Sequence, residues 1–240
     1  MKMSNNSKNI AAKYTANLVQ NNQYLIFGSG STVNLVIDYL SKSHFKLEKL
    51  DVVSASTYTS ERLMKYQINE ISLEELKNKK LDTSLICIDG ADQIKFDNGN
   101  NPVSILKGHG SALVREKILW AQSDMIFVVV DKNKLVDKIT GFIPVEIIPI
   151  ANELVIDKIN LLYDDIEIKL QMNSLEEPLI TDNHNYILEV HHQGRITDIN
   201  KFHKQVKSLV GVVDTGIFGT TLINKCKFII GYKDKVRVIG

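Results

Sequence analysis

The sequence predicts an α/β protein in which a doubly wound, mostly parallel sheet domain carries an inserted α+β domain. Three observations lead there. Between residues 8 and 130, short continuous apolar runs alternate with segments of helical period, and strands without polar alternation belong to sheets covered on both faces. After Asp131 the order changes to βαββαβ, the pattern of a split βαβ or ferredoxin-like unit. Two last apolar runs, KCKFIIGY and KVRVIG, are expected to return to the first sheet, which makes that domain Rossmann-like. The expected boundaries are 1–141 plus 220–240 for the larger domain and 142–219 for the inserted ferredoxin-like domain.

The elements follow in order. Ile10, Ala11, Tyr14, Leu18 and Val19 recur at helical spacing. YLIFG (24–28) is a buried strand ending in glycine, and STVNLVIDYL (31–40) a helix for which Ser31 and Thr32 are suitable caps. LDVVSAS (50–56) is a second strand and ERLMKYQI a helix. Ser72-Leu-Glu-Glu75 has the form of a capping box opening a short helix. SLICIDGAD (84–92) is a third strand running into a turn, followed by polar KFDNGNN, a helix from about Ser111 to Gln122 and the strand MIFVVV. In the second domain PVEIIPI, IEIKL, YILEVHH and GVVDTGIF are strands, while NELVIDKINLL and ITDINKFHKQVKSLV are helices.

Composition narrows the function. The 240 residues are 44% hydrophobic and 24% charged, enough to bury a sizeable core. The 29 Lys+Arg against 28 Asp+Glu leave a net charge of +1, which excludes an electrostatic case for a nucleic-acid or membrane-surface partner. Cys87 and Cys226 each sit in an apolar run and read as buried, reduced thiols of a reducing compartment. The start, MKMSNNSKNI, has no apolar signal-peptide core. The run Met125–Val130 is far short of the roughly 20 residues that span a bilayer. A cytoplasmic protein without membrane contact is expected.

Ligands of open parallel sheets bind beyond the carboxyl ends of the strands, and three polar segments fall there. In Gly28-Ser29-Gly30-Ser31-Thr32, small residues let backbone N–H groups approach an anion at a helix N-terminus; the alternative is a tight turn with a helix cap. In Asp89-Gly90-Ala91-Asp92, two carboxylates at a strand end suit one small site, where like charges tend to retain a proton. A metal site or two solvated turn aspartates are the alternatives. No Cys/His cluster supports a metal, and His191 and His192 point to opposite faces of their strand, so none is expected. In Lys107-Gly108-His109-Gly110-Ser111, a cation, loop N–H groups and a helix dipole converge. Beyond it, Glu116 has only Ala112, Leu113, Leu119 and Trp120 at helical spacings of three and four. A carboxylate in such a stripe is partly desolvated and suited to acid–base work; otherwise it sits at the stripe's edge and pairs with a lysine.

GSGST, DGAD and KGHGSALVREK, in this order and spacing, resemble ribose-5-phosphate isomerase type A, and PVEIIPIA, ITDNHNYILEV and GVVDTGIF extend the likeness through the second domain. The resemblance implies an aldose–ketose isomerase interconverting D-ribose 5-phosphate and D-ribulose 5-phosphate through an enediol(ate), in the non-oxidative branch of the pentose phosphate pathway. It also implies a nucleotide-fold domain with a ferredoxin-like lid domain, no cofactor and a homodimer. Its substrate-binding segments map onto Ser29, Gly30, Ser31 and Thr32, onto Asp89, Gly90, Ala91 and Asp92, and onto Lys107, Gly108, His109 and Gly110. Its proton-accepting glutamate maps onto Glu116 and a further substrate-contacting lysine onto Lys134. Asp89, Asp92 and Lys107 are then the other catalytic groups, the two aspartates sharing ring opening and proton transfer between oxygens and Lys107 stabilising the oxyanion. A related sugar-phosphate deaminase or coenzyme A transferase, and a non-enzymatic sugar-phosphate sensor, are the alternatives of similar fold. The chain departs from the family pattern at Ser29, often threonine, at His109, most often glycine, and at Gln93, where DGADE is usual. The His109 side chain is expected to point outward, with direct contact to the sugar as the alternative.

Overall fold

The computed structural model describes residues 2–20, 24–43, 51–79, 84–99 and 101–240. The first elements are α1 (Lys2–Leu18), β1 (Tyr24–Phe27), α2 (Ser31–Lys42), β2 (Val52–Ser54), α3 (Thr57–Lys65), α4 (Leu73–Asn78) and β3 (Leu85–Asp89). Then come β4 (Gln93–Phe96), β5 (Pro102–Leu106), α5 (Leu113–Gln122), β6 (Met125–Asp131), β7 (Leu135–Val136), β8 (Phe142–Ile147) and α6 (Asn152–Leu162). The remainder is β9 (Glu167–Leu170), β10 (Tyr186–His191), α7 (Ile199–Lys207), β11 (Val212–Thr215), β12 (Ile217–Phe218), α8 (Thr220–Ile223), β13 (Cys226–Gly231) and β14 (Val236–Ile239). By contacts the chain divides into one unit of Met1–Ala91, Arg115–Leu135 and Asn224–Gly240, and a second of Asp92–Val114 and Val136–Ile223. The stretch 142–219 falls inside the second unit, which also takes in 92–114.

The first unit is built on a six-stranded sheet of order β14-β13-β6-β3-β1-β2. Its strands run parallel except the last, β14, which hairpins back antiparallel onto β13. Leu25 and Phe27, Ile86 and Ile88, and Phe127 and Val129 face one core together with Ala11, Ala12, Val36 and Ile37 of the helices. The intervening Ile26, Cys87 and Val128 are fully buried too. Burial on both faces is why these strands read as unbroken apolar runs. The capping box exists: Ser72 Oγ accepts from Glu75 N–H, and the Glu75 carboxylate accepts from Ser72 N–H. Two local expectations are corrected. The second strand is confined to Val52–Ser54, with residue 50 outside the described residues. Helix α2 is entered from Gly30 with no side-chain cap, Ser31 being its first residue, because Gly30 at φ 108° turns the chain in a way that only glycine takes readily.

In the second unit, β8-α6-β9-β10-α7-β11 forms the expected ferredoxin-like unit, an antiparallel sheet of order β11-β8-β10-β9. Ile143, Val145 and Ile147 alternate into a core with Val155, Ile159, Phe202 and Val206 of the helices. Phe142, Pro144 and Glu146 therefore point to the opposite face, paired across the strands with His191, Glu189 and Ile187. A third sheet, β12-β5-β4-β7, was not foreseen. Its β4 and β5 form a hairpin whose turn is organised by the Asp97 carboxylate, which accepts from the backbone of Asn101 and Gly99. Hydrogen bonds from the Asn101 backbone, then from its side chain, hold that carboxyl below its usual range. The segment GVVDTGIF, expected as one strand, breaks at Gly216 into β11 and β12. Gly216 N–H donates to Pro144 O at 2.7 Å and its carbonyl accepts from Lys107 N–H at 2.9 Å. A Cβ at this position would lie 2.2 Å from the Lys107 carbonyl oxygen.

Candidate active site

In the first unit, β1 ends at Gly28, whose N–H donates to Ile88 O of β3 at 2.9 Å and whose carbonyl accepts from Thr59 Oγ1 at 2.8 Å. The two strand ends lie so close that a Cβ on Gly28 would be 2.0 Å from Asp89 Cγ. Beyond it, the Ser29 hydroxyl bonds the Ser56 hydroxyl at 2.9 Å, and Lys8 of α1 donates to Ser31 Oγ at 3.0 Å. The GSGST segment thus opens α2 without a side-chain cap and with a cation alongside.

Asp89 terminates β3 and is fully buried. Its Oδ1 accepts from Gly90 N–H at 2.7 Å, and its Oδ2 from the indole N–H of Trp120, also at 2.7 Å. A buried carboxylate needs such donors, because leaving it bare costs several kcal/mol, roughly. Trp120 lies one turn along α5 from Glu116, so both side chains project from one helix face. Glu116 is only 4% exposed, and its neighbours at helical spacing, Ala112, Leu113, Leu119 and Trp120, are buried as well. The desolvation foreseen from its apolar stripe is present. Lys134 closes a single 3₁₀ turn, Lys132–Lys134, started by Asp131, whose side chain accepts from Asn133 N–H at 2.9 Å. Among the described residues Lys134 makes no hydrogen bond to another expected site residue.

In the second unit, Asp92 N–H donates to Leu106 O at 2.9 Å, which brings the start of β4 beside the end of β5. Lys107 is 3% exposed, its ammonium 5.8 Å from the centre of the Phe218 ring, within the range of a cation–π contact. Gly108 has φ +100°, and a Cβ there would meet Leu113 at 2.8 Å and Pro144 at 3.1 Å. Asp92 Oδ2 accepts from the N–H of His109 at 3.0 Å. The outward orientation expected for His109 is not found: its ring stacks on Phe142, centroids 4.2 Å apart and planes 26° off parallel. Ser111, at φ 62°, donates through Oγ to Gln171 Oε1 at 2.8 Å. Gln93, the other departure, holds the backbone of Thr140 from both sides, accepting its N–H at 2.9 Å and donating to its carbonyl at 2.7 Å.

The structure therefore joins the Gly28–Thr32 segment, Asp89 and Glu116 in one unit, and Asp92, Lys107 and the glycine loop in the other. Sequence reasoning missed Trp120, Lys8, Phe142 and Gln171. Trp120 had a signal, its place four residues after Glu116; the others belong to elements distant in sequence and carried none. Among the described residues no group of three His, Cys, Asp or Glu side chains is placed to hold a metal, and no helix is long and apolar enough to cross a membrane.

Comparison with known proteins agrees with the motifs. The family model described as ribose 5-phosphate isomerase A (phosphoriboisomerase A) matches residues 51–235. The ribose-5-phosphate isomerase A of Bacillus mycoides (strain KBAB4) is 32% identical over 234 residues, covering 97% of this chain and 98% of the relative. The solved ribose 5-phosphate isomerase A of Methanocaldococcus jannaschii superposes with a TM-score of 0.83 at 29% identity, covering 98% of this chain and 99% of that one. The ribose 5-phosphate isomerase of Plasmodium falciparum gives 0.83 at 30%, covering 99% of each chain. With the motifs, both folds and the family match in agreement, this chain belongs to the ribose 5-phosphate isomerase A family.

Proposed function

We propose that the protein is a ribose-5-phosphate isomerase, interconverting D-ribose 5-phosphate and D-ribulose 5-phosphate through an enediol(ate). Moving one proton between C2 and C1 and another between their oxygens needs a base over that edge and stabilisation of the developing oxyanion. Metal and cofactor have no required part in it. The observation that carries the assignment is Glu116, a carboxylate buried to 4% exposure on the first turn of α5. It takes the C2 proton and returns it at C1. Lys107 and the N–H groups of Gly108 and Gly110 stabilise the oxyanion, while the His109 N–H is engaged by Asp92 Oδ2. Asp89 and Asp92, with Gly90 and Ala91 between them, serve ring opening and transfer between oxygens. Ser31, Thr32 and Lys134 take the phosphate end, Ser29 and Gly30 bind substrate in the same segment, and Lys8, at 3.0 Å from Ser31 Oγ, adds a cation at the phosphate.

We assign the chain to the cytoplasm and the non-oxidative pentose phosphate route; two buried cysteines in apolar runs suit a reducing compartment. We also propose a homodimer, supported by Ile148, Ile150, Leu154 and Val210, which are 48%, 95%, 46% and 82% exposed, an apolar cost that association relieves.

The test is Glu116→Gln, which keeps shape and hydrogen bonding but removes the proton acceptor. With ribose 5-phosphate, kcat falls at least about 10²-fold while KM stays within a few-fold. Exchange of the C2 proton with solvent deuterium disappears with it. Near-normal kcat with continued washout would remove Glu116 as the base.

A further inference from the structure

The loop Lys107–Ser111 lies on the face of the antiparallel sheet opposite α6 and α7, and two side chains fasten it there. Ser111 holds Gln171 just beyond β9. His109 stacks on Phe142 of β8, which in turn lies 5.2 Å from the ring of His191 on β10. The His109 ring nitrogens are not idle: Nε2 is 3.3 Å from Phe142 O, and Nδ1 is 3.8 Å from Asp92 Oδ1. Its backbone N–H donates to the other oxygen of the same carboxylate at 3.0 Å. The imidazole itself is seated, with 32% of its side chain exposed.

The loop needs such an anchor. Gly108 stands at φ +100°, and Gly110 has open space where a Cβ would be. A chain with glycine on both sides of one residue resists rotation poorly. That residue's side chain then decides where its own N–H points, and here the N–H points at Asp92.

We propose that His109 is a positioning residue. Its ring, stacked on Phe142, holds the His109 N–H against Asp92 and so sets the direction of that carboxylate toward the sugar. The inference rests on the reading of Asp92 as a reacting group. The residue that replaces the family's usual glycine thus stiffens the loop by means external to its backbone.

The experiment measures kcat and KM for ribose 5-phosphate on the full-length protein and four variants, with unfolding midpoints to verify that each is folded. His109→Gly frees the loop, and Phe142→Leu removes the stacking surface from the other side. Each lowers kcat about tenfold or more with KM within about threefold, since small misplacements of reacting groups cost rate steeply. His109→Phe keeps the stack without the nitrogens and recovers most of the loss. A kcat at the parent level in both His109→Gly and Phe142→Leu overturns the proposal, as does a His109→Phe no better than His109→Gly. Asp92→Asn separates the two layers. If it is inactive while His109→Gly is normal, the positioning role alone fails; if it retains full kcat, the role of Asp92 fails and the positioning role with it.

Discussion

Trp120 donates its indole N–H to Asp89 Oδ2 at 2.7 Å, with both side chains fully buried. The bond ties the end of β3 to the helix that bears Glu116. A proton donor on the ring edge of a tryptophan holds a carboxylate without adding a charge of its own. Asp89 is thereby oriented by a group whose bulk is also core, and the two tasks can be separated by substitution.

Trp120→Phe keeps most of the apolar bulk and removes the donor. Hydrogen bonds to charged groups are worth about 1.5–3 kcal/mol, so the unfolding midpoint falls measurably. Turnover drops about tenfold with KM changed less than threefold. Steady-state kinetics and a thermal melt check both, and an unchanged kcat would show that Asp89 needs no hold from the indole.

Glu146 is fully buried, and its Oε1 accepts from Thr181 Oγ1, Asn183 Nδ2 and Asn185 Nδ2 at 3.2, 3.0 and 2.9 Å. Truncation at Glu146→Ala strips these donors of their common acceptor and opens a cavity. A loss of about 3 kcal/mol is expected in chemical denaturation. Glu146→Gln, which retains one carbonyl oxygen, costs less; equal costs would mean that the loss is one of volume.

Gln93→Glu replaces the amide that donates to Thr140 O with a carboxylate oxygen. The Thr140 N–H is still accepted, but two oxygens now face each other. Stability falls by about 1 kcal/mol at neutral pH. The deficit shrinks in acid, near the ordinary glutamate value of about 4.3, where the protonated side chain donates again. A pH-independent deficit would contradict this reading.

Burial pushes the His192 imidazole below the usual histidine range, with the charges of Lys138 and His191 acting in the same direction. Its Nδ1 accepts from Gly194 N–H at 3.1 Å, a bond that a proton on Nδ1 would break. The unfolded chain therefore binds more protons than the folded one below the free histidine value of about 6.5. Stability is full above that pH and is lost as the pH falls through it, at up to about 1.4 kcal/mol per unit for this one site. His192→Asn keeps an acceptor and removes the titration. Urea unfolding of both proteins from pH 7 to 5 should show a shallower slope for the variant.

The first sheet was legible because its strands are buried on both faces and its helices repeat at their own period; YLIF, LICID and MIFVVVD announce themselves. The third sheet was not. Strands β7 and β12 have two residues each, too few for any period, and β4 and β5 flank a turn whose polarity suggested a plain loop. Gly216 hid a change of sheet inside one apolar run. The site segments were legible because glycine, serine and aspartate at strand ends have few structural uses. Their partners were not, since Trp120 and Phe142 read as core side chains, and which core side chain touches a carboxylate depends on pairings between elements far apart in sequence.

The closeness of Gly28 to Asp89 has an evolutionary edge. With a Cβ only 2.0 Å from Asp89 Cγ, no side chain enters position 28 unless the aspartate moves or shrinks, and a moved aspartate leaves its indole partner behind. Position 28 therefore cannot take on a side chain while Asp89 keeps its place. A mutational library that varies position 28 singly will return glycine, and a viable alternative will surface only where positions 28, 89 and 120 are randomised together.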